Sequence, residues 1–247
     1  MNPDKKVAFI TGGNRGIGFE TAKALAEKGI HVIIGSRTKA KGEEAVKLLT
    51  AKNLKVSFLV FDVTKPDDHQ YAYDQIQTQY GKLDILINNA GVWLDPASVS
   101  GNDASAVSLK VLKDTFDTNF FSVVTLTQTL LPLIKKSGAG RIVNLSSILA
   151  SLSLHSDPGS SIYDSKYLAY NSSKAALNTF TIHLAHELKN TNIKVNSAHP
   201  GWVRTQMGGE NAPLDVSVGC KTSVELALLP ASGPSGGFFH QGDKIPW

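Results

Sequence analysis

The sequence predicts an α/β fold, a doubly wound, mainly parallel sheet with helices on both faces. Short apolar runs rich in β-branched residues alternate with segments of helical spacing from the start of the chain, the pattern of repeated βαβ units. Those runs are nearly continuous in apolar character, as expected of strands covered on both sides. The 247 residues, 42% of them hydrophobic, suffice for one sizeable core, and no internal repeat or low-complexity linker divides them, so residues 1–247 read as a single domain.

Taken in order, strands are expected at Val7–Ile10, 31–34, 55–61, 83–87, Arg141–Leu145 and 193–197, with a weak seventh over 237–240. Helical spacing falls at 21–28, 42–51, 67–80, 110–136 and 172–189. Two stretches break the rhythm: 151–167 is rich in Ser, Asp, Pro and Tyr, and 208–219 in Gly, Asn and Pro. Ligands of an open parallel sheet bind beyond the carboxyl ends of its strands, so both stretches are candidate pocket walls, the first beside Trp93, Trp202 and Met207.

The net charge of +4 is modest and its basic residues are scattered, which argues against nucleic acid as the main partner and leaves room for a phosphorylated small molecule. The lone Cys220 has no partner for an internal disulfide, and no metal-ligand set is apparent. His183 and His186 have helix-neighbour spacing but lack a third ligand. Residues 1–6 are polar, and the apolar run from Val7 breaks at Gly12, so no signal peptide or membrane span is expected and the location reads as cytoplasmic.

Directly after the first strand comes Thr11-Gly12-Gly13-Asn14-Arg15-Gly16-Ile17-Gly18, followed by a helix. Glycines there permit a tight turn and close approach of bare backbone to a pyrophosphate, while the helix N-terminus presents N–H groups. Between the first strand and first helix of a βαβ unit this is a strong mark of a Rossmann-type dinucleotide site. An NAD-preferring site usually carries a carboxylate near the end of the second strand. Here the stretch reads Ile33-Ile34-Gly35-Ser36-Arg37. An isolated arginine is ordinarily a solvated surface charge, but Arg37 and Arg15 together with the missing acid favour NADP(H), through charge-assisted bonds to a 2′-phosphate. Asp62 and Val63, ending the third strand, fall where an adenine would lie, and Asp62 could equally cap a helix before Pro66.

Tyr170 is the tyrosine with a lysine four positions on, Lys174, which helical spacing puts on the same face. Reduction of a carbonyl leaves an alkoxide that needs a proton, and a Lys174 ammonium with the positive ring of oxidised cofactor would lower the phenol pKa. The fifth strand ends in Asn144-Leu145-Ser146-Ser147, whose hydroxyls either stabilise a substrate oxygen or merely cap a turn.

These marks, with Asn88-Asn89-Ala90-Gly91, Asn119 and Pro200-Gly201 through Thr205, closely resemble the short-chain dehydrogenases/reductases over nearly the whole chain. The resemblance implies that Tyr170 exchanges the proton, Ser147 orients the carbonyl, Lys174 binds the nicotinamide ribose and Asn119 holds a relay water. It further implies that Asn89, Ala90 and Gly91 flank the cofactor beside Pro200 and Gly201, and that Val203 and Thr205 hold the carboxamide. The second serine of the pair is preferred because that position acts in the family.

Asn119-Phe120-Phe121, the stretch 131–134, 200–205 and the Trp247 end are similar to carbonyl reductases, implying small apolar or aromatic carbonyl substrates. Ser147 and Tyr170 stand 23 positions apart, further than in the common family pattern, though without the still longer insert of animal carbonyl reductases. The enlarged loop would hinder a family contact between subunits, so a monomer is favoured over a homo-oligomer. An NAD-preferring alcohol or sugar dehydrogenase and a catalytically idle dinucleotide sensor remain the rival readings.

Overall fold

The computed structural model describes residues 5–96 and 103–247; residues 1–4 and 97–102, which the 1–247 domain reading includes, lie outside the described residues. Among the described residues eight strands form one sheet: β1 (Val7–Ile10), β2 (His31–Ser36), β3 (Val56–Val60), β4 (Ile85–Asn88), β5 (Arg141–Leu145), β6 (Lys194–Ala198), β7 (Phe238–His240) and β8 (Asp243–Lys244). Their order is β3-β2-β1-β4-β5-β6-β7-β8, parallel throughout except for the β7–β8 hairpin. The weakly expected seventh strand is present, and β8 is an addition too short to leave a periodic signal.

Strand direction reverses its progress across the sheet between β1 and β4, and the connections diverge there to leave a crevice. Alternate side chains of each inner strand feed two cores. Val7, Phe9, Ile33 and Leu86 pack with helices α3 (Pro66–Tyr80), α5 (Ser122–Lys135) and α7 (Leu168–Glu187). Ala8, Ile10, Ile34, Ile85 and Ile87 pack with α1 (Gly16–Glu27), α2 (Lys39–Thr50) and α9 (Lys221–Ala227). Helices therefore cover both faces, and the two-residue period of the pleat explains why the strands read as unbroken apolar runs.

The helix expected over 110–136 is three pieces: α4 (Leu109–Phe116), a π-helical turn Asp117–Phe121, and α5. A π turn adds a residue to the coil and re-aims the side chains around it, here Asn119. Helix α7 begins four residues earlier than its apolar period suggests, so Tyr170 lies in its first turn. The stretch 151–167 folds into the short helix α6 (Leu152–Ser156) and turns, and 208–219 ends in the short helix α8 (Val216–Gly219).

Candidate active site

At the carboxyl ends of the strands around the β1–β4 crevice lies a cleft of about 620 Å³. Gly12, Asn14, Arg15, Gly16, Ile17, Gly18, Arg37, Asp62, Val63, Asn89, Ala90, Gly91, Tyr170, Lys174, Pro200 and Thr205 border it, so most of the predicted residues converge from six separate segments of the chain. Gly201, Val203, Asn119 and Ser147 stand behind this lining. Val203 is buried, bridges to Leu214 and packs its methyl groups over Gly219, so only its backbone remains for a contact with a ligand.

The glycine loop is shaped by its neighbours. Gly16 adopts φ +56°, a left-handed conformation costly for other residues, as the chain enters α1. Asn89 donates from Nδ2 to the carbonyls of Thr11 (2.8 Å) and Gly12 (3.2 Å), while Thr11 Oγ1 accepts the backbone N–H groups of Asn89 and Ala90, both at 3.0 Å. The predicted cofactor contact Asn89 is thus also the brace that fixes the loop. A Cβ on Gly18 would stand 2.5 Å from Asn89 Nδ2 and 2.6 Å from the Gly12 carbonyl oxygen. Gly18→Ala is therefore expected to destabilise the fold by about 1–3 kcal/mol through overpacking and to weaken dinucleotide binding as the loop shifts. Thermal melting and a dinucleotide titration check both.

Arg15 and Arg37 border the cleft together with Lys41, a third cation missed in the sequence although it follows Arg37 by one helical turn. Arg15 Nη1 also donates to Gln206 Oε1, tying the loop after β6 to the glycine loop. Asp62 is no helix cap: Lys65 occupies that position, and the Asp62 carboxylate accepts from the backbone N–H (3.1 Å) and hydroxyl (2.8 Å) of Thr64. This local turn holds Asp62 and Val63 at the cleft rim, braced by Asp68, which accepts the Asp62 N–H at 2.7 Å.

Tyr170 and Lys174 are both buried, and Lys174 Nζ lies 5.8 Å from the Tyr170 ring centre while donating to the Leu145 carbonyl at 2.8 Å. Burial pushes the Tyr170 phenol up to about 12, against hydrogen bonding with Ser147, and lowers Lys174 to about 8. The expected lowering of the phenol is thus reversed in the protein alone, because desolvation of a phenolate outweighs the nearby groups. Ser147 Oγ also accepts the Leu149 N–H at 3.2 Å, so the hydroxyl both caps the following 3₁₀ turn and meets Tyr170. Ser146, rather than Ser147, lines the cleft, and its buried hydroxyl has no partner among the described residues.

Asn119 is fully buried and its side chain is committed to protein: Oδ1 accepts the Val92 N–H (2.8 Å), and Nδ2 donates to the Val92 carbonyl (2.9 Å) and Ser173 Oγ (3.0 Å). Its side chain therefore clamps backbone, leaving only its main chain to hold a water. Neither 151–167 nor 208–219 borders the cleft. In the first stretch Ile162 turns inward, His155 Nε2 bonds the Leu149 carbonyl at 3.0 Å and the Ser153 N–H donates to the Trp247 carbonyl at 2.9 Å, while Leu152 and Tyr163 stay exposed and Tyr167 meets Trp93. Met207, expected beside the pocket, lines the cleft, and the residues missed in the sequence include Ser36, Thr38, Thr64 and Thr118, which line it without any motif to mark them.

A family model described as short chain dehydrogenase matches residues 6–214. The chain belongs to the short-chain dehydrogenase/reductase family. It is an oxidoreductase of that family and carbonyl-reductase-like within it. Carbonyl reductase (NADPH) 1 of Mus musculus is 31% identical, with 100% of each chain covered, and (−)-isopiperitenone reductase of Mentha piperita is 32% identical over 98% of each. Among solved structures, an NADPH-bound carbonyl reductase from chicken fatty liver superposes with TM-score 0.82 at 25% identity, covering 98% of this chain and 99% of that one. Carbonyl reductase Sniffer of D. melanogaster gives 0.80 at 32% identity with the same coverage. Among the described residues no helix is long and apolar enough to cross a membrane.

Proposed function

We propose that this protein is an NADP(H)-dependent carbonyl reductase that reduces small apolar or aromatic aldehydes, ketones or quinones, or oxidises the corresponding alcohols, with Tyr170 as the acid/base. The observation that carries the reading is that Tyr170, hydrogen-bonded to Ser147 behind it, and Lys174 line the same cleft as Arg15, Arg37 and Lys41. The cleft residues fit the cofactor. The left-handed Gly16 that opens α1 and the unpartnered Ser146 hydroxyl provide donors and close approach, and the three cations suit a 2′-phosphate. Asp62 and Val63 would flank the adenine, Asn89 to Gly91 the ribose and pyrophosphate path, Lys174 the nicotinamide ribose, and Thr205 with the Val203 backbone the carboxamide, beside Pro200 and Gly201.

When bound, NADPH supplies the hydride. The chain's task is then to hold the carbonyl oxygen and protonate it. Ser147 donates a hydrogen bond to that oxygen, and Tyr170, a neutral phenol at physiological pH, gives up its proton to the more basic alkoxide. Lys174, still cationic below about pH 8, stabilises the phenolate left behind. Asn119, whose side chain holds Val92, offers its main-chain carbonyl to a relay water. Val92, Leu145 and Met207 give the cleft an apolar wall suited to apolar carbonyls. A cytoplasmic monomer covering residues 1–247 as one domain completes the proposal.

Cofactor oxidation followed with a panel of aldehydes, ketones and quinones tests the reading; turnover with none of them would favour the dinucleotide sensor. The pH profile adds a second check. Lys174 is protonated below about 8 and neutral above it, so kcat/KM for reduction should fall as pH rises through about 8. Lys174→Met should remove that limb along with most of the activity, whereas a limb unmoved by the substitution would assign it to another group.

A further inference from the structure

We infer that Asp95 is the positioning residue that fixes Tyr170 for proton transfer; this rests on the reading of Tyr170 as the acid/base. The first N–H groups of a helix have no partner within it, and Tyr167, at the cap position of α7, supplies no side-chain acceptor. The acceptor comes from a different part of the chain. Asp95, in the connection after β4, accepts the Ala169 N–H through Oδ1 at 3.0 Å and the Tyr170 N–H through Oδ2 at 2.9 Å. The carboxylate is buried, at 8% exposure, and no ion pair involves it among the described residues. Its charge is balanced by these two N–H groups and by the positive end of the helix, so both oxygens are committed to holding the first turn.

The neighbours of Asp95 grip the same residue. Two positions earlier, Trp93 stacks on the Tyr170 ring with centres 4.5 Å apart and planes 19° from parallel, and meets Tyr167 edge-on at 4.5 Å. One position before that, both backbone groups of Val92 are held by Asn119, which also donates to Ser173 Oγ, and Ser173 in turn donates to the Tyr170 carbonyl at 2.8 Å. Residues 92–95 therefore hold Tyr170 at its main-chain N–H, at its ring and, through Asn119 and Ser173, at its carbonyl. The strap starts from Asn89 to Gly91 at the cleft wall, so one short connection sets the distance between the cofactor's bed and the phenol.

Of these contacts, the Asp95 cap is the one that sets the pitch of the first turn and hence the direction of the Tyr170 side chain. Without it two N–H groups inside the protein lose their acceptors, and the turn must unwind or rotate to recover them. Proton transfer is steeply sensitive to such movement, whereas the glycine loop and the cations lie on other elements.

Asp95→Leu and Asp95→Asn keep the side-chain shape and remove two acceptors and one, respectively. Asp95→Leu is expected to lower kcat about 100-fold, the cost of a misplacement on the order of 1 Å, with the NADPH dissociation constant unchanged. Asp95→Asn, whose remaining oxygen still caps, should fall between it and the native enzyme, at about a tenfold loss. Tyr170→Phe in the same assay keeps the two ideas apart, since retained activity there refutes the acid/base reading itself. With Tyr170→Phe inactive, a native kcat in Asp95→Leu overturns the positioning role. Should Asp95→Leu fail to fold, a native kcat in Asp95→Asn overturns it equally, as would a loss expressed in NADPH affinity rather than in kcat.

Discussion

Replacing Tyr170 by phenylalanine is expected to lower carbonyl reduction by roughly 10³- to 10⁴-fold, the upper part of the range for loss of a general acid, with NADPH affinity near native. The substitution removes one oxygen and keeps the ring that stacks on Trp93, so the strap and the glycine loop stay in place. The loss is large because the phenol is the acid that stands against Ser147, whereas Lys174 Nζ lies 5.8 Å from the ring centre and donates to the Leu145 carbonyl, and Ser147 is a far weaker acid. Burial raises the phenol to about 12, which keeps the proton on the oxygen near neutral pH and still lets it pass to a stronger base such as an alkoxide. Single-turnover rates and a fluorescence titration with NADPH separate chemistry from binding. Near-native turnover would make some other group the donor.

Arg37→Asp is expected to bring NADPH affinity down by roughly 10- to 150-fold, the equivalent of losing a charge-assisted bond of about 1.5–3 kcal/mol. NADH should lose little, because the new carboxylate can accept from a free ribose hydroxyl. Lys41 and Arg15 also border the cleft, so the single substitution should narrow the preference and the pair Arg37→Asp with Lys41→Ala should reverse it. Calorimetric titration with both dinucleotides measures the change directly. A native protein that binds NADH more tightly than NADPH would remove the basis for the cation reading.

Much of the site is legible in the sequence because its chemistry is local. The glycine loop, the Tyr170–Lys174 spacing and Arg37 at the end of the second strand each lie within a few consecutive residues, where strand and helix periods fix their relative positions. Lys41 was within reach of the same logic, one helical turn after Arg37. The limits appear where a side chain serves a residue far away in the chain. Asn119 sits in a π turn that no apolar period foretells, and its side chain is spent on Val92. The stretch 151–167, rich in residues that suit a pocket wall, buries Ile162, leaves Leu152 and Tyr163 exposed and sets Tyr167 against Trp93, since composition does not state which neighbour an apolar side chain will meet.

The sequence by itself determined the alternation of strands and helices, the parallel sheet and the phosphate loop, because periods of two and 3.6 residues and the steric freedom of glycine act over short distances. Only the tertiary structure decided the electrostatic state of the acid and what holds it. Packing α7 against the sheet buries Tyr170 and Lys174 together, and removal from water moves their pKa values in opposite directions, to about 12 and about 8. The cap from Asp95 likewise spans 75 positions of sequence to reach Tyr170, a contact that exists only once the connection after β4 meets the start of α7, since both partners are unremarkable polar groups until burial deprives them of water.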